Sequence, residues 1–402
     1  MSAPDTRPPF AALGGVLPAA LHTLPTPCYL LDEGALRRNA ELLGALAQRT
    51  GCKILLAQKA FSNYDLYPLL APHLAGTEAS GLYEARLGAE EMPDGEVHVF
   101  CAAYRDDEMD ELLRYADHIV FNSPAQLAKF GAKVKAAGKS VGLRINPECS
   151  TQDGHAIYDP CAPGSRLGTT RAAWDAAVTQ DPALPQLLDG LHFHTLCEQD
   201  ADALAVTLDA VAEKFGDILP KMQWVNFGGG HHITRPGYDL ETLTQCIARA
   251  QNAWGVTVYL EPGEACALNA GYLLTRVLDV VQNGGTTVAI LDASAACHMP
   301  DVIEMPYRPP LLFAGDAGQK PCTVRLAGPT CLAGDVIGDY SLDAVPRVGD
   351  LLVFGDMAIY TTCKNNTFNG MPLPAICVRD EAGNVRELVR FGYRDFKARL
   401  GR

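Results

Sequence analysis

The residues able to do chemistry sit at the ends of short apolar runs. Lys59 follows the run KILLA (53–57). A lysine there is either a solvated side chain at a strand-to-helix turn or a desolvated amine whose lowered pKa lets it condense with a carbonyl. That segment alone favours the first reading. Gly228, Gly229 and Gly230 end the run that begins WVNF (224–227). One glycine would be a turn needing positive φ. Three in a row let backbone N–H groups converge on an anion, and at this position they favour a phosphate. His192 and His194 are two apart, so on a strand they share one face. A metal site would need further ligands on later runs. Those runs end in glycines and Glu261 instead, so no metal is expected. His194 is expected to stack on a flat ring, and His192 to be a packed, hydrogen-bonded side chain. Glu261 ends VTVYLE (256–261). It is either a buried structural acid or the partner of a pyridine nitrogen, which it would keep protonated. Arg144 lies at the end of SVGLRI (140–145). An amine, a phosphate cradle and a carboxylate are together the set that pyridoxal phosphate requires.

Something must bring these run ends to one place. Eight apolar runs begin near Lys53, Gly76, Val97, His118, Ser140, Gly190, Trp224 and Val256. Between them lie stretches with helical spacing, among them Phe61–Leu70, Tyr83–Glu91, Asp106–Tyr115, Pro124–Ala137, Asp200–Phe215 and Leu240–Trp254. Strand then helix, eight times over in roughly 210 residues, predicts a (β/α)8 barrel of the TIM type. Catalytic groups of such barrels gather at the C-terminal ends of the strands, where all the residues above fall. After about Gly271 the alternation stops. β-prone runs follow at Tyr272–Val281, Thr287–Asp292, Cys322–Leu326, Leu351–Phe354 and Ala375–Arg379, and helical spacing returns only over Tyr393–Leu400. The expected division is a barrel over 25–271 and a C-terminal mainly-β domain over 272–402, joined by the N-terminal tail, 1–24. The β domain offers Cys331, in the loop GPTCLAGD (328–335), where a thiol can be presented to a site. The other cysteines read as buried hydrophobes. Tyr360 either gives its hydroxyl to a phosphate or is an ordinary core tyrosine.

Composition bounds the partners. The 402 residues carry 33 Lys and Arg against 47 Asp and Glu, a net charge of −14. That argues against nucleic acid and anionic membranes, and it suits a cationic ligand, although solubility alone accounts for the total. Thirteen cysteines without a CxxC pair argue against a disulfide scaffold and for a reducing cytosol. No apolar run is long enough to span a bilayer, and Met1–Phe10 lacks a signal-peptide core, so a cytoplasmic location is expected.

KILLAQKAFS (53–62), GLHFHTLCE (190–198), NFGGGHHIT (226–234), LEPGEA (260–265), HMPDVIEMPYRP (298–309) and GPTCLAGDVIGDY (328–340) stand in this order along the chain. With them the sequence resembles the alanine racemase-like, fold-type III pyridoxal-phosphate decarboxylases, and within that group the carboxynorspermidine/carboxyspermidine decarboxylases. The resemblance covers nearly the whole chain. It implies that Lys59 holds the cofactor, that His194 stacks on its ring and that Arg144 supports the ring from below. It also implies that Gly229, Gly230 and Tyr360 bind the phosphate and that Glu261 meets the pyridine nitrogen. Cys331 would reach from a second subunit to the substrate's α-carbon, so a homodimer with shared sites is implied. The implied activity is loss of CO2 from carboxynorspermidine and/or carboxyspermidine in polyamine biosynthesis. One departure informs the substrate. Related decarboxylases carry arginine at the end of EPGR, and here it is Glu264. An anion there suits a polyamine. Asp301 is the second candidate anion, with Glu304 and Asp335 in reserve. The rivals are a diaminopimelate decarboxylase, a racemase of the same fold and a cofactor-bound regulator without turnover. Nothing in the sequence ranks the two carboxy-polyamines, which differ by one methylene.

Overall fold

The computed structural model describes residues 17–152 and 159–401. They form two compact units, Arg37–Cys266 and the remainder on either side of it in sequence. Strand β1 (Cys28–Asp32) belongs to the second unit. In the first, β2 (Lys53–Ala57), β3 (Gly76–Ala79), β4 (Glu96–Phe100), β5 (His118–Phe121), β6 (Ser140–Arg144), β7 (Gly190–His192), β8 (Trp224–Asn226) and β9 (Thr257–Leu260) close into a parallel barrel. Closure runs through Lys53 and Ile54 of β2, paired with Tyr259 and Leu260 of β9. These are the eight expected runs, each within a residue of where its pattern begins.

The helices follow ordinary end signals. Leu240–Trp254 starts where Asp239 accepts hydrogen bonds from the backbone of Glu241 and Thr242. It buries Leu243, Cys246, Ile247, Ala250 and Trp254 along one face and stops at Gly255 in the left-handed region. Two expected helices are shorter than their apolar spacing suggested. Over Phe61–Leu70 only a 3-10 turn, Tyr64–Leu66, and a single α turn, Tyr67–Leu70, form. Pro68 sits at the start of that turn, where a residue without an N–H is tolerated and a longer helix running through it is not. Over Asp106–Tyr115 the helix is Met109–Leu112.

The barrel interior is packed in layers, and the layering builds the site. Leu55, Val120, Trp224 and Tyr259 form one buried cluster, with Phe100 against it. The Trp224 indole has room because its neighbours lack side chains. A Cβ at Gly142 would lie 2.5 Å from the indole, and one at Gly190 would lie 2.1 Å from it. On a strand the same face recurs two residues on. Counting two from Gly142, Gly190, Trp224 and Tyr259 gives Arg144, His192, Asn226 and Glu261, the polar layer at the strand C-termini.

Towards the N-terminal ends of the strands the interior is polar as well. Tyr259 donates to Glu96 at 2.9 Å, Lys53 also bonds the Glu96 carboxylate, and the His98 ring nitrogen lies 3.1 Å from it. His98 and His118 stack at 3.8 Å with an interplanar angle of 13°. Glu96, His98 and His118 are close enough to suggest a metal cage. However, Lys53 already supplies a cation to Glu96, and the cluster is a polar floor on which the two rings stack.

The second unit is a sheet. It comprises β1, β10 (Gly271–Asn283), β11 (Thr286–Leu291), β12 (Gly315–Asp316), β13 (Cys322–Ala327), β14 (Val336–Leu342), β15 (Leu351–Gly355), β16 (Ala375–Arg379) and β17 (Val385–Val389). The strand order is β12-β14-β13-β11-β10-β1-β16-β17, with β15 also on β10. β1 pairs antiparallel with β10 and parallel with β16. The boundaries therefore differ from those expected. The barrel unit starts at Arg37 and ends at Cys266, not at 25 and 271, because Cys28–Asp32 is a central strand of the other unit's sheet. Of the tail expected to join this unit, Leu21 packs in its core with Cys28, Leu30 and Tyr272, and residues before 17 lie outside those described. β14 was hidden in sequence by Gly338 and Asp339, which interrupt its apolar alternation. No described helix is long and apolar enough to cross a membrane. All thirteen cysteines are free thiols.

Candidate active site

The strand ends bring together Lys59, Glu78, Arg144, His192, His194, Asn226, Gly228–Gly230 and Glu261. Lys59 sits in the turn after β2, where it remains partly exposed, and its ammonium lies 2.8 Å from a carboxylate oxygen of buried Glu78. Burial pushes the Glu78 carboxyl up to about 7, against the pull of the Lys59 ammonium and with Glu261 adding to the rise. Glu78 can therefore gain or lose a proton near neutrality, within hydrogen-bond reach of the Lys59 amine.

Glu261 is also buried, but its surroundings act the other way. Burial alone would raise its pKa. The ring nitrogen of His192 lies at 3.1 Å from one oxygen, and Asn226 donates to the other at 2.6 Å. With Lys59 also near, these contacts hold Glu261 well below the usual carboxylate range. An ionised carboxylate is acceptor-only, which assigns the His192 proton to Nε2. Asn226 serves twice, since its side-chain oxygen accepts the Gly228 N–H at 2.8 Å. One side chain thus ties the glycine loop to the carboxylate.

The glycines are required where they stand. Gly228 and Gly230 have φ of +71° and +79°. A Cβ at Gly229 would meet the Glu261 carbonyl at 2.6 Å, and one at Gly230 the Leu196 carbonyl at 2.1 Å. The Gly229 N–H donates to His194 Nδ1 at 3.3 Å, so the half-buried imidazole lies over the start of the loop. Burial lowers the pKa of both His192 and His194, which keeps their rings neutral. Arg144 is buried, donates to the His194 carbonyl at 3.1 Å and lies over the Phe100 ring at 4.5 Å. Burial brings its guanidinium down to about 10, with Glu261 opposing.

Glu264 opens the short helix Glu264–Ala267, and its carboxylate lies 3.7 Å from His232 Nε2. The remaining predicted residues belong to the sheet unit. Cys331 is exposed, and its backbone N–H donates to Asn369 at 2.7 Å. Tyr360 has φ +52° and ψ −41°, the centre of a tight turn in which Thr361 N–H meets the Ile359 carbonyl at 2.5 Å. Asp301 is engaged by Lys364, whose ammonium also lies 2.5 Å from Glu304. Asp335 is buried beneath the Cys331 loop. It accepts bonds from Thr330, Ser294 and the backbone of Ala295, which makes it a structural anchor. Sequence reading missed Glu78, although a lone acid within the run GTEA was the available signal. It also missed Asn226, whose role shows only in its two contacts.

The family model described as pyridoxal-dependent decarboxylase, C-terminal sheet domain, matches residues 28–358, and the chain belongs to that family. Within it, the carboxynorspermidine/carboxyspermidine decarboxylase of Campylobacter jejuni is 40% identical over 93% of this chain and 98% of that protein. The carboxyaminopropylagmatine decarboxylase of a Synechocystis strain is also 40% identical, over 95% and 97%. The crystal structure of carboxynorspermidine decarboxylase complexed with norspermidine, from Campylobacter jejuni, superposes with a TM-score of 0.85. It covers 94% of this chain and all of that one, at 40% identity. The expected fold class and family are both borne out.

The family implies pyridoxal phosphate, and the residues fit it. An amine paired with a buried carboxyl stands at Lys59. An ionised buried carboxylate faces inward at Glu261. At Gly229 and Gly230 any Cβ would strike the backbone carbonyls of Glu261 and Leu196, so only glycine fits this loop.

Proposed function

We propose that the chain decarboxylates an α-amino acid whose side chain is a polyamine, of the carboxynorspermidine and carboxyspermidine type. The 40% identity to an enzyme of that name along nearly the whole length of both chains carries this reading. Pyridoxal phosphate, when bound, supplies the electron sink that lets the α-carbon part with CO2. The protein holds and orients. Lys59 would hold the cofactor, with Glu78 beside it to take up or return a proton at the lysine Nζ. Glu261, kept ionised by His192 and Asn226, holds a proton on the pyridine nitrogen. Gly229, Gly230 and the Tyr360 hydroxyl bind the phosphate, His194 covers the ring, and Arg144 supports it. Cys331 of a second copy returns a proton at the α-carbon, so the working form is a homodimer. The exposure of Cys331, Leu332 and Phe368, drawn together by the Cys331–Asn369 bond, supports that assignment.

Of the two anions proposed to read the tail, Glu264 is the stronger. It opens the short helix after β9, in the same unit as the glycine loop, whereas Asp301 belongs to the sheet unit and is paired with Lys364. Glu264 also separates this reading from a diaminopimelate decarboxylase, which must bind a second carboxylate and would want a cation there. A second reading is a guanidinium-tipped substrate, favoured by the equal identity to the carboxyaminopropylagmatine enzyme. The test is CO2 release from carboxynorspermidine, carboxyspermidine, carboxyaminopropylagmatine and diaminopimelate in parallel. Turnover of either of the first two, at least about tenfold above the others in kcat/KM, is the expected result. Preference for diaminopimelate refutes the proposal. Lys59→Ala should bring the near-ultraviolet and visible absorbance of bound cofactor to that of the free compound, and an unaltered spectrum would remove Lys59 from its role.

A further inference from the structure

We propose that His232 is a positioning residue for Glu264: its ring donates to that carboxylate and holds it toward the ammonium groups of the bound tail. The inference rests on the polyamine reading above and adds to it a residue to which neither the motif nor the comparisons give a role. His232 is 9% exposed, and neither ring nitrogen has a hydrogen-bond partner among the described residues. A buried imidazole always carries an N–H, and leaving it without an acceptor is costly. The carboxylate within reach is Glu264, at 3.7 Å from Nε2, just beyond a formed hydrogen bond.

The backbone around His232 is fixed, so the ring has a firm pivot. Its N–H donates to the Gln199 carbonyl at 3.3 Å, and its own carbonyl accepts from Arg235 at 2.9 Å. Gln199 in turn donates to the Gly230 carbonyl at 3.0 Å. The ring therefore stands on the same pinned loop as the glycine cradle. Burial, and then Arg235, hold the His232 imidazole down to about 4, while Arg235 is itself bridged to Asp200 at 3.2 Å. The ring is thus neutral at physiological pH. A neutral donor orients a carboxylate without cancelling its charge, which Lys364 does to Asp301. An anion oriented in this way keeps its attraction for an ammonium group.

The experiment is a double-mutant cycle on the holoenzyme, read by calorimetric titration with norspermidine and by kcat and KM for carboxynorspermidine. His232→Leu should weaken norspermidine binding and raise KM by about tenfold while kcat stays within about twofold. His232→Gln, which offers an N–H where Nε2 lies, should recover most of the loss. Added to Glu264→Gln, His232→Leu should cost less than about twofold more, because the group it positions is gone. If His232→Leu fails to fold, His232→Gln and His232→Asn run the same cycle, since the shorter asparagine amide does not reach Glu264. Unchanged norspermidine affinity in His232→Leu, or penalties that multiply in the double variant, overturn the inference alone. A wild-type protein that neither binds norspermidine nor releases CO2 from carboxynorspermidine overturns the substrate reading, and this inference with it.

Discussion

Between Lys59 and Glu78 one proton has two homes. A buried carboxyl at about 7, 2.8 Å from the amine, can take the proton that the amine must lose before it attacks a carbonyl. The rate at which apoprotein captures the cofactor should therefore rise with pH through about 7, as Glu78 ionises and becomes an acceptor. In Glu78→Gln that inflection should vanish, because the group that titrates is no longer there. Stopped-flow absorbance between pH 5.5 and 9, a range set by the window in which such a group titrates, reads this directly, and a retained inflection assigns it to another group. Lys59, Glu261 and the glycines were legible in sequence because each lies at or just after the end of an apolar run, which puts it at the C-terminal rim of the barrel. Glu78 lies inside such a run, one residue before its end. Its meaning depends on a contact across to the neighbouring strand, and spacing does not encode which strands are neighbours.

At the level of elements, the barrel depends on which inward positions are empty. Gly142 and Gly190 make way for the Trp224 indole, and Arg144 and His192 follow two residues later. Gly190→Ala would place a Cβ 2.1 Å from that ring and force the two strands apart. A loss of about 3 kcal/mol is expected, from the denaturation midpoint, together with a fall in kcat as Arg144 and His192 shift. Unchanged stability would mean that the indole moves freely, contrary to this packing. The strands themselves were readable from their apolar runs. The short helices were not, because apolar spacing over Phe61–Leu70 and Asp106–Tyr115 persists in chain that turns instead of coiling. β14 escaped for the opposite reason, since its glycine and aspartate conceal a strand that tertiary pairing with β13 stabilises.

Across the whole molecule, buried neutral histidines govern the response to acid. Burial holds His118 down to about 3, and His231, His232 and His298 down to about 4, against an ordinary value of 6.5. Between those values and 6.5 the unfolded chain binds more protons than the folded one, so stability falls as pH drops through that window. Glu78 opposes this with the reverse sign, because its carboxyl is raised and the folded state binds its proton more tightly between 4.5 and about 7. Each pKa unit is worth about 1.4 kcal/mol, so four histidines outweigh one carboxyl. Thermal melts should show Tm falling by about 10 °C between pH 7 and pH 5, and a flat profile would contradict the burial of these rings. At this scale the two-part organisation was legible but its boundary was not. β1 lies early in the chain and pairs with strands more than 200 residues later, and no local pattern announces such a partner.

The floor of Glu96, Lys53, His98, His118 and Tyr259 bears on traffic. A barrel stoppered by side chains at one end has a single doorway, the rim where its strands finish. In the reading proposed above, substrate, carbon dioxide and product share that doorway. The order in which they leave is then a matter of queueing, with the small gas able to slip past an occupant that the larger molecule would have to displace.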